Sequence, residues 1–225
     1  MKRRTDLVSC APCSGKSTLC TSLADRYGLD HFSIGNDMRE FIKADPTGPA
    51  ALIKATFTAD EIATYTRNVK ANTLAPVNLT PKYVKERIFG VGARPGIVCV
   101  LIDGFPRDAA RWPYFKDAIG QHWTPSEKAV LIVLHASRET TKERFEKRGR
   151  AGDEFDKRFD EHEKSIDPII EVMKSDGLTM IELSVNHGRS AEELIDDFEQ
   201  MPAWISALEE KSTSAVDEES SLSAP

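Results

Sequence analysis

Three things are scarce in this chain, and each scarcity excludes something. Positive charge has no surplus: 30 Lys and Arg stand against 36 Asp and Glu, a formal net charge of −6. Broad binding to nucleic acid or to an anionic membrane surface draws on a cationic face, so neither partner is expected. Any contact with phosphate must then come from a few placed cations. Long apolar runs are missing too, so no segment is expected to span a bilayer. Met1 to Asp6 carries Lys2, Arg3 and Arg4, but leads into a short strand rather than the apolar region of a signal segment. Cysteine is sparse: Cys10, Cys13, Cys20 and Cys99 lack the paired spacing of a disulfide framework or a metal knuckle. Cys10 and Cys13 stand at a metal-like interval, yet without a second pair nearby no zinc is expected on them. Free thiols and a reducing, cytoplasmic location are the expectation. Cys20 on a helix and Cys99 in a core strand read as small hydrophobes.

What is present suits one α/β domain. A chain of 225 residues with 40% hydrophobic content buries a core of useful size. Leu7, Val8 and Ser9 read as the end of a buried strand, followed by a helix from Ser17 to Tyr27. Ile97 to Ile102 and Ala129 to Leu134 are continuous apolar runs of the kind buried on both faces, and Met180 to Leu183 is a weaker one. Helical patterns cover Arg138 to Arg148, Arg158 to Met173 and Ala191 to Leu208. This alternation predicts a parallel sheet with helices on both faces and a ligand site at the carboxyl ends of its strands. Residues 1–210 are expected to form a single domain, and the Ser- and Glu-rich tail 211–225 has too little to bury and reads as disordered.

The segment from Cys10 to Thr18 carries the first chemistry. Gly15-Lys16-Ser17 after a short apolar strand aims backbone N–H groups and a helix N-terminus at one spot, where a polyphosphate sits. Lys16 would reach the β- and γ-phosphates, and the Ser17 hydroxyl would join a Mg²⁺ shell. The full pattern wants Gly at its first position, where this chain has Cys10. Taken alone, the segment also reads as an ordinary Ser/Gly turn with a solvated lysine.

The second constellation is Asp103-Gly104-Phe105-Pro106-Arg107. A carboxylate at the end of a core strand can orient Mg²⁺ or its waters, and an arginine just beyond a tight turn offers a planar fork to phosphate oxygens. A buried aspartate capping the next helix would account for Asp103 but not for the whole run. With the phosphate turn at one end and this run at the other, the chain resembles the adenylate kinase and UMP/CMP kinase family, whose hallmark is Asp-Gly-Phe-Pro-Arg. The resemblance covers roughly Leu7 to Leu208. It implies a P-loop kinase fold with an acceptor-binding helical insert at about 36–80 and a short lid at about 148–157.

The resemblance also implies roles. Cys13, Ser14, Gly15, Lys16, Ser17 and Thr18 would hold ATP, with Arg144 and with Gly188, which falls where the family passes its backbone along the donor adenine. Ser33, Ile34, Gly35 and Arg39 look like the family's acceptor segment; Leu74 and Pro76 resemble the step that lies against the acceptor base; Gly104 and Arg111 complete that side. Lys16, Arg107, Arg148 and Arg158 would clamp the transferring phosphoryl group, and Arg148 and Arg150 would belong to the lid. Mg²⁺ would be held by Ser17 and, through water, by Asp103. Arginines on a helix also read as a solvated face. His162 and His187 read as surface histidines, since transfer to an anionic phosphate oxygen does not require one. A monomer is expected.

The departures from the family are specific. Cys10 and Cys13 replace glycines used for close backbone approach, so the turn must accept two Cβ atoms. Ser17 stands where adenylate kinases carry Gly. The stretch from Arg39 to Leu74 is longer than usual, and that from Arg148 to Arg158 is shorter. Ile34 takes the place of the adenylate kinase Thr, and Arg111 that of Gln in adenylate kinases or Asn in pyrimidine kinases. Arginine only donates hydrogen bonds, so an Arg111 facing the base favours a carbonyl edge, as in UMP or GMP, over the amine of AMP or CMP. The alternative is an Arg111 facing solvent. The reaction expected is Mg²⁺-dependent transfer of the γ-phosphoryl group of ATP to a nucleoside monophosphate. The alternatives are a kinase of a non-nucleotide small metabolite and a nucleotide-binding protein without turnover.

Overall fold

The computed structural model describes residues 4–97, 99–120, 129–149, 154–186 and 189–206. Its centre is a five-stranded, fully parallel sheet in the order β2-β3-β1-β4-β5. The strands are β1 (Arg4–Cys10), β2 (Asp30–Ser33), β3 (Cys99–Asp103), β4 (Val130–His135) and β5 (Thr179–Ser184). Alternate residues serve opposite faces, as the period of a strand requires. Leu7, Ile102 and Leu131 belong to one core, and Val8, Leu101 and Ile132 to the other.

Helices cover both faces. The second core is closed by α1 (Lys16–Tyr27) and α9 (Ala191–Glu199), where Phe198 stacks edge-on against Trp204 at 4.6 Å between ring centroids. The first is closed by α6 (Arg111–Ile119) and α8 (Phe155–Ser175), while α7 (Arg138–Arg148) packs beside α8. Between β2 and β3 run four helices: α2 (Ile34–Phe41), α3 (Gly48–Lys54), α4 (Ala59–Lys70) and α5 (Leu79–Ile88). Helix α4 starts on a capping box in which the Thr58 hydroxyl accepts from the Glu61 N–H and the Glu61 carboxylate accepts from the Thr58 N–H.

These four helices share the sheet's core. Phe41 lies 5.0, 5.3 and 5.6 Å from the rings of Phe57, Tyr65 and Tyr83, and all four belong to the cluster that contains Leu7 and Ile102. A buried ion pair joins α5 to the edge strand: Arg87 Nη1 donates to Asp30 Oδ2 at 2.7 Å, with Arg87 also over the Phe32 ring at 4.7 Å. Among the described residues no helix is long and apolar enough to cross a membrane.

Several boundaries differ from the sequence reading. Strand β2 was not anticipated. The strand expected over 97–102 begins at Cys99 and runs on to Asp103, which places that carboxylate inside the strand end. Helix α8 starts three residues before Arg158 and runs through Pro168. The helix expected to reach Leu208 stops at Glu199 and a further turn occupies 202–206, because Pro202 lacks an N–H and restricts the residue before it. The tail 211–225 and the lid tip 150–153 lie outside the described residues.

Candidate active site

The ends of β1 and β3 adjoin in the sheet, so the turns that leave them share one space. Gly104 N–H donates to Val8 O at 3.1 Å, extending the pairing of the two strands to that edge. The turn after β1 then curls back through two left-handed residues, Cys13 at φ 61° and Gly15 at φ 93°. Cys13 holds a conformation that normally falls to glycine or asparagine, so the glycine-for-cysteine departure is carried as local backbone strain. Helix α1 begins at Lys16.

Across this space Ser17 Oγ donates to Asp103 Oδ2 at 2.7 Å, and Lys16 Nζ pairs with Asp103 Oδ1 at 2.7 Å. The aspartate is fully buried. Burial alone would raise its carboxyl, but His31, Lys16 and Ser17 reverse that and hold it well below the ordinary carboxylate range. His31 Nε2 stands 3.8 Å from Oδ2, beyond hydrogen-bond length, so the direct partners are Lys16 and Ser17.

Beside this pair lies a concentration of guanidinium groups. A Cβ built on Gly35 would meet Arg107 Nη2 at 3.3 Å and Arg39 Nη1 at 3.6 Å, so both guanidinia come close over the Gly35 backbone. Arg107 keeps solvent contact, and among the described residues no carboxylate pairs with it. Burial by the surrounding walls, and the charges of Arg158, Arg39 and Arg111, pull its guanidinium below the usual value against Asp103. Guanidinium groups gathered this closely leave a positive field that attracts a polyanion.

Arg144 holds the turn from the other side. Its Nη1 donates to Ser14 O at 3.1 Å and its Nη2 to Val185 O at 3.0 Å. Arg111 is buried, which overturns the solvent-facing alternative: Nη1 donates to Pro76 O at 3.3 Å and Nη2 to Ala75 O. Its donors therefore grip the backbone carbonyls of Ala75 and Pro76, while Asn68 Nδ2 donates to that of Leu74 at 2.9 Å.

The remaining expected residues are less concentrated. Leu74 is exposed, and Ile34 lies in the main core. Ser33 is the residue before α2, without a side-chain cap. Thr18 and Arg148 are exposed. Arg150 and Gly188 fall outside the described residues, as does His187. The sequence reading missed His31 beside Asp103 and took His162 for a surface residue. His162 is half-buried, and burial, with His135 and Lys16 nearby, lowers it to about 4. Ser17 Oγ and the Asp103 carboxylate are hard oxygen donors on one point, a set that suits Mg²⁺.

Comparison with known proteins adds to this geometry. A family model described as an AAA domain matches residues 10–166. The chain is similar to adenylate kinase isoenzyme 5 of Homo sapiens, at 30% identity over 182 residues, which is 77% of this chain and 29% of that protein. It is similar to an adenylate kinase of Clavibacter michiganensis subsp. michiganensis, at 29% identity over 77% of this chain and 82% of that one. It is 28% identical to adenylate kinase isoenzyme 1 of Caenorhabditis elegans over 74% of this chain and 73% of the relative. The chain spans less than a third of the isoenzyme 5 proteins of mouse, human and cattle that it matches.

Proposed function

Because the chain belongs to the adenylate kinase family, we propose that it transfers the γ-phosphoryl group of ATP to a nucleoside monophosphate, with AMP as the acceptor to test first. The observation that carries this reading is the union of Lys16, Ser17 and Asp103 with the Arg39–Arg107 pair over Gly35. Two polyanions must meet end to end, and these cations lie where repulsion between them has to be cancelled.

In this reading Lys16 leaves Asp103 for the donor phosphates as ATP binds. Arg39 and Arg107 hold the acceptor phosphate in line, and Arg107, Arg148 and Arg158 receive the charge that spreads over the transferring group. Arg144 fixes the carbonyl of Ser14, so the N–H groups of the turn keep their aim. Mg²⁺ bound with ATP would rest on Ser17 and Asp103 and neutralise phosphate charge. The short lid proposed at about 148–157, which includes the left-handed Gly149 at φ 57°, would serve to exclude water from the site. The helical insert at about 36–80 presents the acceptor side, with Arg111 setting the position of 74–76.

A coupled assay of ADP formation from Mg-ATP with AMP, UMP, CMP or GMP tests the proposal. Turnover with at least one of them is expected, and none with all four would overturn it. One observation favours a second reading, a kinase of a non-nucleotide metabolite: both terminal nitrogens of Arg111 are committed to the backbone carbonyls of Ala75 and Pro76 rather than offered to a base. Turnover with a small phosphorylated metabolite and with no nucleotide would select it.

A further inference from the structure

Behind the Lys16–Asp103 pair stand two side chains that phosphoryl transfer does not use. Cys20 on α1 and His31 on β2 each bring one donor atom, Sγ and a ring nitrogen, to the Asp103 carboxylate, and the three atoms lie within 4.8 Å of one another. Cys20 and Asp103 are fully buried, and the His31 side chain is 14% exposed. His31 Nε2 has no hydrogen-bond partner among the described residues. A buried ring nitrogen left without a partner is unfavourable by about 1–3 kcal/mol, so something is expected to use it.

The donor set identifies the ligand. A sulfur, an imidazole nitrogen and a carboxylate oxygen do not suit Mg²⁺, which takes oxygen ligands in octahedral geometry. They suit a borderline-soft cation that accepts four ligands, and Zn²⁺ is the one whose sites mix Cys, His and Asp. Zinc bonds of roughly 2.0–2.3 Å put tetrahedral donors about 3.3–3.7 Å apart. The separation of 3.8 Å between His31 Nε2 and Asp103 Oδ2 is close to that already. A pocket of about 370 Å³ reaches the site at His31, with Thr21, Asp37 and Arg87 among its other walls, and gives a path by which a cation and a water for the fourth position would enter.

We propose that Cys20, His31 and Asp103 form a Zn²⁺ site, and that zinc bound there inhibits the enzyme by taking the Asp103 carboxylate from Lys16 and Ser17. Zinc takes the thiolate of Cys20, so its proton leaves to solvent on binding. The site stands on geometry alone; the inhibition rests on the kinase reading of Asp103.

The test uses the full nucleotide-free chain, stripped with a chelator and dialysed against Zn²⁺ or Co²⁺. One equivalent of zinc is expected, and Co²⁺ should give a thiolate-to-metal charge-transfer band. Cys20→Ala should lose the band and at least tenfold in zinc affinity, a loss like that of other disturbed metal sites. His31→Gln should lose affinity similarly, and decides the matter if Cys20→Ala does not fold by circular dichroism. Cys13→Ala should keep both signals. No retained zinc, a band that survives Cys20→Ala, or a band lost in Cys13→Ala would each overturn the site and leave the kinase reading intact. In metal-buffered assays, saturating free zinc should lower turnover at least tenfold in the unmodified chain and not in Cys20→Ala. Zinc bound at the site without inhibition would instead overturn the role given to Asp103.

Discussion

Arg144 reaches back 130 residues to the carbonyl of Ser14, at 3.1 Å, and its second nitrogen takes the carbonyl of Val185 at 3.0 Å. One guanidinium thus pins the phosphate turn to the end of β5. Its role is as much mechanical as electrostatic, because the loop it holds also carries the left-handed Cys13.

Replacing Arg144 with Ala should therefore weaken ATP binding and the fold together. Charged hydrogen bonds of this kind contribute roughly 1.5–3 kcal/mol each before solvent screening, so a loss of about 1–3 kcal/mol in urea unfolding is expected. KM for ATP should rise about tenfold by the same scale. An unchanged KM would show that the turn holds itself.

Arg107→Ala and Lys16→Ala should part company. Both remove a cation that faces developing charge, and each should lower kcat by roughly 10²–10³. Arg107 has no carboxylate partner among the described residues and sits among other cations, so its loss should leave the melting temperature unchanged or higher. Lys16→Ala instead strands the fully buried Asp103 with only Ser17 as direct partner, and should also lower stability by about 3–5 kcal/mol. Calorimetry beside steady-state kinetics separates the two.

Arg87→Ala breaks the ion pair with Asp30, whose side chains are 6% and 1% exposed. Removing one partner of such a pair typically costs about 3–5 kcal/mol, because a charge is left buried. Arg94, 3.1 Å from Asp30 but itself exposed, should recover only part of this. The expected result is a large fall in the urea midpoint with kcat nearly unchanged in whatever protein folds.

His162 should make the protein acid-sensitive. Its folded value lies near 4, below the 6.5 of an unfolded histidine, because burial disfavours the charged ring. Between those values the unfolded chain binds more protons, so stability falls as pH drops from 6.5 towards 4. The effect should be on the order of 1–3 kcal/mol, and His162→Gln should flatten the slope of unfolding free energy against pH in that window.

Arg111→Met keeps an unbranched apolar stem and removes the donors that hold the carbonyls of Ala75 and Pro76. With Ala75 and Pro76 released, KM for the acceptor should rise about tenfold while KM for ATP stays constant. A change confined to ATP would place Arg111 on the donor side.

The chemistry written in contiguous residues was legible in the sequence. Gly15-Lys16-Ser17 and Asp103 to Arg107 each carry their geometry locally, and the apolar runs of β3 and β4 announce a parallel sheet without help. Strand β2 escaped because Asp30-His31-Phe32-Ser33 is four residues long and has one apolar residue, Phe32; its neighbour β3 and the Arg87 pair make it a strand. The orientation of Arg111 escaped for a similar reason: spacing puts it at the head of α6, but only tertiary packing brings the carbonyls of Ala75 and Pro76 to it. The meeting of Cys20, His31 and Asp103 joins three elements with no shared motif, so no pattern along the chain could signal it.

The aromatic cluster of Phe41, Phe57, Tyr65 and Tyr83 has a consequence for how far the stretch holding α3 and α4 can be altered. Because that cluster is continuous with Leu7, Ile102 and Phe105, α3 and α4 possess no interior of their own. They are not a module that can be grafted elsewhere or trimmed away. A version shortened between α2 and α5 would uncover the rings of Phe41 and Tyr83 on the flank of the sheet, an apolar wound on which shortened copies would adhere to one another.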